Sequence, residues 1–405
     1  MTTVDFARYV RPGDTVLWGQ ACAEPRTLTE QLMAQRARIG GFRCFLGVPT
    51  SDTVRPEHAD HVRFVSYTGS GANRSLDRAG VLDVLPCHYS AFPRLITSGV
   101  LPVDVVLLSL PAPDSVGRHS LGLAEEYLPA AIDTARTVIA EVSEAVPWTH
   151  GSRTLTAADL DVVIHTSRSP TCPNRDEPDL LQRRIAKTVA GLVEDGSTLQ
   201  VGIGALPEAV LAELSGHRHL GVHSGLINDR VADLMAAGVV TNARKTLDRG
   251  RAVAGALIGS DRLFTFAHRN PAIRLADTRY THAHATLAAQ QRFVAINTAI
   301  EVDLTGQTNT EVARGRYVGA VGGAADFLRG AAASPGGLPI VALPAARIVA
   351  TLSGPVSTAR ADAGVIVTEF GVADLRGRSL RERYERLLAI VHPDRQAALE
   401  TSLMG

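Results

Sequence analysis

The chain has 405 residues, of which 45% are hydrophobic and 20% are charged, the composition of a soluble globular protein that can hold a core without disulfides or a metal. Its 41 Lys and Arg balance its 41 Asp and Glu, which argues against a protein that binds nucleic acid or an anionic membrane through charge. Four widely spaced cysteines and an N-terminus that lacks an apolar signal segment predict a reduced, cytoplasmic protein.

Buried strands are predicted where short runs rich in Val, Ile and Leu occur, most of them bounded by Gly or Pro. These runs are Thr15–Trp18, Val103–Leu110, Thr137–Val142, Thr198–Val201, Phe293–Asn297, Pro339–Ala342 and Gly364–Thr368. Apolar residues three and four positions apart predict helices. These helices are Leu28–Arg36, Asp179–Leu192, Pro207–Leu214, Asp229–Ala237 and Leu380–Ile390. The alternation predicts an α/β fold with largely parallel sheets.

A polar stretch with three prolines, Ser167–Pro178, interrupts this alternation. It has no apolar period, as is typical of a linker. Strand and helix patterns continue on both sides of it. We therefore predict two α/β domains, one over residues 1–178 and the other over residues 179–405.

A first glycine-rich turn, Gly202-Ile203-Gly204, follows a predicted strand, and Pro207 is predicted at the first position of the next helix. Two glycines allow backbone to approach a ligand closely, and a helix N-terminus presents free N–H groups to an anion. Because Pro207 stands where the dinucleotide-binding fingerprint has a third glycine, we reject a plain Rossmann site. An ordinary tight turn remains the other interpretation.

A second glycine-rich turn contains Gly319, Gly322 and Gly323 and precedes a helical stretch that ends at Arg329. Because glycine has no Cβ, such a turn admits a phosphate or a pantetheine arm. An ordinary turn has the same pattern, so the glycines alone do not separate the two interpretations.

His223, Ser224 and Asp229 lie within seven positions and suggest a Ser–His–Asp triad. We reject the triad because neighbouring side chains on a strand point to opposite faces. The chain also has no Gly-x-Ser-x-Gly elbow.

Two His-x-His pairs, His217/His219 and His282/His284, have a spacing that is compatible with a metal. No carboxylate or cysteine accompanies them in the sequence as a further ligand. We interpret these histidines as surface-loop residues and predict no metal site.

Seven stretches in collinear order resemble the acetyl-CoA hydrolase/CoA-transferase family, of the 4-hydroxybutyrate CoA-transferase type. They are residues 101–122, 138–151, 199–214 (LQVGIGALPEAVLAEL), 221–245 (beginning GVHSGLINDRVAD), 295–311 (AINTAIEVDLTGQTNTE), 318–331 and 367–383. The resemblance implies two domains of the CoA-transferase fold with the active site in the cleft between them. It also implies acyl-CoA and a small carboxylate as substrates, no metal, and a homodimer or higher homo-oligomer.

The resemblance assigns both glycine-rich turns to coenzyme A. The residues that match the family's first CoA loop are Gly202, Ile203, Gly204, Ala205 and Leu206. The later turn with CoA-contacting glycines corresponds to Gly319, Gly322 and Gly323.

Gly225 is the point at which the sequence departs from the family. In the family, the third place of the stretch that here reads His223-Ser224-Gly225-Leu226 carries a glutamate, which attacks the thioester and holds CoA as a glutamyl thioester. The flanking residues align without a gap. Glycine has no side chain, so no such intermediate forms at position 225, and loss of a covalent nucleophile typically costs ~10⁴-fold or more in kcat.

Other carboxylates could replace the nucleophile. Glu301, Asp303 and Glu311 lie in matched stretches, but they correspond to family residues that accompany the glutamate. We therefore do not expect them to take the covalent role.

Three functions are compatible with CoA loops that lack the nucleophile. The first is hydrolysis of an acyl-CoA thioester or reaction on the acyl chain, with water beside Gly225 held by Ser224 or His223 and the oxyanion held by backbone N–H groups. The second is CoA transfer by a relocated nucleophile or by direct attack of the acceptor carboxylate. The third is a non-catalytic CoA-binding subunit.

Overall fold

The protein is described by a computed structural model that covers residues 3–172 and 177–401. Contacts between Cα atoms divide the chain into two compact units. The first comprises Met1–Pro173, Leu226–Asp229 and Val253–Thr281, and the second comprises Asn174–Gly225, Arg230–Ala252 and His282–Gly405. Residues 173–176 of the predicted linker lie outside the described residues, and the domain bounds at 178 and 179 stay a prediction.

Strands and helices alternate in the first part of the chain. The strands are β1 (Thr15–Trp18), β2 (Phe42–Leu46), β3 (Val62–Ser66), β4 (Leu82–Val84), β5 (Val105–Leu110), β6 (His119–Ser120), β7 (Thr137–Ser143), β8 (Thr154–Leu155) and β9 (Val162–Thr166). The α-helices are α1 (Arg26–Ile39), α2 (Asn73–Arg78), α3 (Phe92–Thr97) and α4 (Leu128–Thr134).

Seven of these strands form one parallel sheet in the order β4-β3-β2-β1-β5-β7-β9. Every residue of β1, β5 and β7 is buried, as expected for central strands covered on both faces. Their continuous apolar runs explain why the sequence predicts them.

The second part of the chain repeats the alternation with shorter elements. Its strands are β10 (Thr198–Val201), β11 (Gly221–Val222), β12 (Leu226–Ile227), β13 (Ala252–Ala254), β14 (Ala256–Leu257), β15 (Ile273–Leu275), β16 (Phe293–Thr298), β17 (Glu301–Asp303), β18 (Thr308–Asn309), β19 (Val312–Ala313), β20 (Arg316–Tyr317), β21 (Leu338–Ala342), β22 (Ile348–Val349), β23 (Val365–Thr368) and β24 (Gly371–Asp374). Its α-helices are α5 (Leu180–Ala190), α6 (Ala205–Glu213), α7 (Asp229–Ala236), α8 (Asp261–Ala267), α9 (Thr278–Thr281), α10 (His284–Ala289), α11 (Ala324–Ala333), α12 (Leu380–Leu388) and α13 (Pro393–Thr401).

The main sheet of the second unit has six strands in the order β11-β10-β16-β21-β23-β24. All neighbours are parallel except β23 and β24, which form an antiparallel edge. Strand β11, which follows β10 in the chain, pairs with one side of β10, and β16 pairs with the other side. A parallel sheet whose order reverses in this way has a topological switch point, and ligands bind at the carboxyl ends of its strands.

The predicted α/β fold with parallel sheets is confirmed. Helix α5 shows how local chemistry sets a boundary, because the Asp179 carboxylate accepts a hydrogen bond of 2.7 Å from the Gln182 N–H and Gln182 Oε1 accepts one of 3.0 Å from the Asp179 N–H. This capping box satisfies N–H groups that have no partner within the helix. Across the described ranges, no helix has the length and apolar character that a bilayer crossing needs.

Candidate active site

Three parallel strands of the second unit, β10, β11 and β16, end at one edge of the sheet, next to the switch point. The side chains of Gln200 and Asn297 join β10 to β16 there, with Asn297 Nδ2 donating to Gln200 Oε1 at 2.9 Å. Beyond the strand, the Gly202 N–H donates to the Ile296 carbonyl at 3.1 Å. These hydrogen bonds fix the position at which the first glycine-rich turn leaves the sheet.

The turn itself is half-open to solvent. Gly204 has a φ of +122°, a backbone conformation that a residue with a Cβ adopts only under strain. Ile203 is 59% exposed, which is unusual for an isoleucine. Helix α6 begins at Ala205, so Pro207 is its third residue, and the prediction that Pro207 occupies the first position is wrong. The N–H groups of Ala205 and Leu206, in the first turn, have no i−4 acceptor within the helix.

The stretch that follows β11 carries the three residues predicted at the catalytic position. His223 and Ser224 are buried, whereas Gly225 is partly exposed. Ser224 Oγ lies 3.4 Å from the Val201 nitrogen and 3.3 Å from the Val201 oxygen, so this hydroxyl connects the stretch to the last residue of β10. The His223 ring packs edge-on against Phe293, with 6.4 Å between ring centroids. The structure thus brings Gly225 and the first glycine-rich turn to the same sheet edge.

The second glycine-rich turn leads into helix α11. The Gly319 N–H donates to the Glu311 carbonyl at 3.0 Å, and Gly319, Gly322 and Gly323 are all half-buried. Gly323 immediately precedes the helix, as the sequence predicts, although the helix extends to Ala333, beyond the predicted end at Arg329.

His282 lies between this second turn and Gly225. A Cβ at position 323 would lie 2.7 Å from His282 Nε2, and a Cβ at position 225 would lie 3.6 Å from the same atom. A Cβ at position 323 would collide with the imidazole, which explains the glycine there. A Cβ at position 225 would make an ordinary van der Waals contact. The imidazole also packs on the Phe327 ring, with 4.4 Å between centroids.

The prediction that the His-x-His pairs lie on the surface is wrong for His282, which is 5% exposed. It holds for the exposed His219, whereas His284 is exposed but begins helix α10 and His217 is half-buried. Burial, together with the neighbouring His223, lowers the pKa of His282 to about 3. The imidazole is therefore neutral at physiological pH. Its position beside Gly225 depends on a long-range contact that no local pattern reveals.

Carboxylates do not provide the atoms closest to position 225. The three heavy atoms nearest to a Cβ there are two atoms of His282, each at 3.6 Å, and Phe327 Cε2 at 3.8 Å.

The three carboxylates considered as substitutes are engaged in hydrogen bonds that shape loops. Glu301 accepts from Ser353 N–H at 2.9 Å and from its hydroxyl at 2.7 Å. Asp303 accepts from the N–H groups of Thr305 and Gln307. Glu311 accepts from Tyr317 Oη at 2.7 Å and from Ser357 Oγ at 2.6 Å. These bonds give each carboxylate a structural role.

A glycine-rich turn at the switch point of a parallel sheet is an arrangement typical of α/β proteins that bind a nucleotide-like ligand at the strand ends. The chain belongs to the acetyl-CoA hydrolase/transferase family, because the N-terminal domain of that family matches residues 1–172 and its C-terminal domain matches residues 259–403.

The relatives in this family include proteins named as CoA transferases and proteins named as acetyl-CoA hydrolases. The chain is 33% identical to the 4-hydroxybutyrate coenzyme A transferase of Clostridium kluyveri, over 93% of this chain and 91% of that protein. It is 29% identical to the acetyl-CoA hydrolase of Saccharomyces cerevisiae, over 59% of this chain and 48% of that protein. Among solved structures, RipA from Yersinia pestis superposes with a TM-score of 0.94 at 31% identity, over 100% of this chain and 96% of that one.

Proposed function

We propose that this chain cleaves an acyl-CoA thioester without a glutamyl-CoA intermediate, and that the reaction is hydrolysis. The observation that carries the proposal is the surroundings of Gly225, where an imidazole and a phenyl ring, and no carboxylate, are the nearest groups to a Cβ. A covalent route requires a carboxylate within reach of the thioester. Since none of the three atoms nearest to that Cβ belongs to a carboxylate, the attacking oxygen in this proposal comes from solvent or from a second substrate.

The residues at the sheet edge have separate roles in this proposal. The turn Gly202–Leu206 and the glycines 319, 322 and 323 bind coenzyme A, since both present backbone that a side chain does not shield. N–H groups of the first turn hold the oxyanion that develops on the thioester carbonyl. Gly225 leaves room for water next to the reacting carbon, and Ser224 and His223 fix the backbone on either side of that space.

Thiol release from a panel of acyl-CoA esters of different chain length and polarity tests the proposal. We expect at least one ester to release coenzyme A continuously in the absence of any carboxylate acceptor. No release from any ester, while calorimetry shows that the protein binds coenzyme A, would contradict hydrolysis and favour a non-catalytic CoA-binding subunit.

Direct CoA transfer is a second candidate, and the similarity to a named CoA transferase over 93% of the chain favours it. In this case a small carboxylate attacks the thioester within a ternary complex, without an enzyme-bound intermediate. Initial rates measured against both substrates separate this route from the family's covalent one. Intersecting double-reciprocal lines indicate direct attack, whereas parallel lines indicate a covalent intermediate and therefore a relocated nucleophile.

A further inference from the structure

An open groove lies at the amino ends of strands β2, β3 and β4 in the first unit. Its volume is 650 Å³, within the range of about 300–1,000 Å³ that is usual for small-molecule pockets. The charged and polar side chains that line it belong to Arg43, Asp60, His61, Arg63 and Asp83. None of these residues belongs to the candidate active site, so the groove is a separate feature of the molecule.

Two arginines lie side by side in this groove. Arg43 on β2 and Arg63 on β3 are register partners, so their side chains leave the same face of the sheet, from strands about 4.8 Å apart. Like charges opposite each other on neighbouring strands destabilise a sheet. An anion bound by both guanidinium groups would offset this repulsion.

The carboxylates of the groove do not neutralise both arginines. Asp83 accepts a hydrogen bond of 2.6 Å from Arg63 Nε, whereas the two oxygens of Asp60 accept from Arg36, at 2.7 Å and 2.9 Å. Within residues 3–172 and 177–401, the Arg43 side chain forms no hydrogen bond or ion pair, and its Nε is buried without a partner. Arg43 therefore brings a positive charge to the groove that no carboxylate balances.

We propose that this groove binds a phosphate group, either as free phosphate or as part of a small phosphate ester, through Arg43 and Arg63. Each guanidinium presents its N–H donors in a planar fork that matches two oxygens of a phosphate. Two forks supply more donors than a carboxylate with two oxygens can accept, which favours phosphate. A Cβ at Gly13, Gly41 or Gly80, which also line the groove, would meet no heavy atom within 4 Å. The space around these glycines is therefore open to the rest of a ligand.

Calorimetric titration with sodium phosphate, glycerol 3-phosphate and sodium acetate at equal ionic strength tests the proposal. We expect Arg43→Gln and Arg63→Gln each to raise the Kd for phosphate by about 10-fold or more. Arg74→Gln, which removes the same charge from an exposed position on α2, is the matched control and should keep the wild-type Kd. The Arg63 side chain is 64% exposed, so Arg63→Gln is expected to fold even if Arg43→Gln does not. Thermal unfolding in phosphate-free buffer checks that each variant is folded.

The three ligands also distinguish the source of the phosphate. Tighter binding of glycerol 3-phosphate than of inorganic phosphate would identify a phosphate ester as the ligand, and equal affinities would identify free phosphate. The proposal would be overturned by the same phosphate affinity in all folded variants, by acetate binding as tightly as phosphate, or by no saturable binding of phosphate or its ester to the wild-type protein at millimolar concentrations. Thiol release does not enter this test, so the phosphate site and the proposed hydrolysis stand or fail independently.

Discussion

At the scale of single residues, the absence of a side chain at Gly225 affects the chemistry of the candidate site. Its neighbours leave ordinary contact distances of 3.6–3.8 Å around a Cβ, and its φ is outside the left-handed region that would demand glycine. Neither sterics nor backbone conformation therefore requires a glycine at this position. A Cβ at position 225 is therefore compatible with the fold.

Gly225→Glu is expected to fold and to gain CoA transfer from an acyl-CoA to a small carboxylate such as acetate, because the sequence resemblance predicts the family's nucleophilic glutamate at this position. Gly225→Ala, which adds only the Cβ, is the matched control and should gain no transfer. Initial-rate assays with and without acetate measure the gain. If Gly225→Glu folds but shows no transfer, the site has diverged beyond this one residue.

The residues of the site differ in how far the sequence reveals them. The two glycine-rich turns stand out as contiguous patterns, whereas Gly225 stands out only through the resemblance to the family. His282 does not, because its contacts with Gly225, Gly323 and Phe327 join segments that are far apart in the chain. Surface exposure of a histidine is an average expectation, and tertiary packing overrides it here.

At the scale of elements, Lys245 holds strand β11 in place. The side chain is 1% exposed, and its Nζ donates to the carbonyl oxygens of Val222 at 2.9 Å and Arg251 at 2.8 Å. Val222 is the last residue of β11 and precedes His223. Lys245 therefore supports the strand from which the stretch with Gly225 begins.

Lys245→Met is expected to lower the free energy of unfolding by about 2 kcal/mol, because two carbonyl groups lose a charged donor. Lys187→Met, on the exposed side of α5, is the control and should change the free energy of unfolding by less than about 0.5 kcal/mol. Urea denaturation of the three proteins gives the comparison. Equal midpoints for the two variants would show that Lys245 does not stabilise β11.

The elements that the sequence predicts are those with uninterrupted apolar runs or helical periods. The predicted strand at Thr15–Trp18 has the same bounds as β1. Strands β2 and β3 were not predicted, because Arg43 and Arg63 interrupt their apolar residues. These arginines pair in register, and Arg63 Nε also donates to Asp83 at 2.6 Å, an arrangement that only the assembled sheet provides.

At the scale of the whole molecule, the first unit contains a buried carboxyl group that couples stability to pH. Glu126 is 4% exposed, and its Oε1 accepts a hydrogen bond of 2.7 Å from Gln20 Nε2. Burial raises the pKa of Glu126 from 4.5 to about 7, and burial raises the pKa of the adjacent Glu125 to about 7 as well. The folded protein therefore binds these protons more tightly than the unfolded chain does.

The sign of the effect follows from this difference. The stabilisation is complete below the unfolded pKa of 4.5 and is lost as the pH rises through about 7. Each group contributes about 3 kcal/mol at most, at about 1.4 kcal/mol per pKa unit. The wild-type protein should lose unfolding free energy between roughly pH 5 and pH 8, and we expect Glu126→Gln to lose less over the same range. Urea denaturation at the two pH values measures the unfolding free energy of each protein. Glu57→Gln, at an exposed position, is the control.

A pH dependence in Glu126→Gln as large as in the wild-type protein would contradict the raised pKa of Glu126. The comparison uses differences within each protein, so other titrating groups cancel. Because Glu126 belongs to the first unit and Gly225 to the second, this test is independent of the catalytic proposals.

Intact-protein mass spectrometry during turnover of an acyl-CoA tests the central claim most directly, with Gly225→Glu as the positive control for adduct formation. We predict that the wild-type protein releases coenzyme A while its mass stays that of the unmodified chain. A wild-type species heavier by one covalently bound coenzyme A would contradict the account, because it would show that another carboxylate receives the thioester.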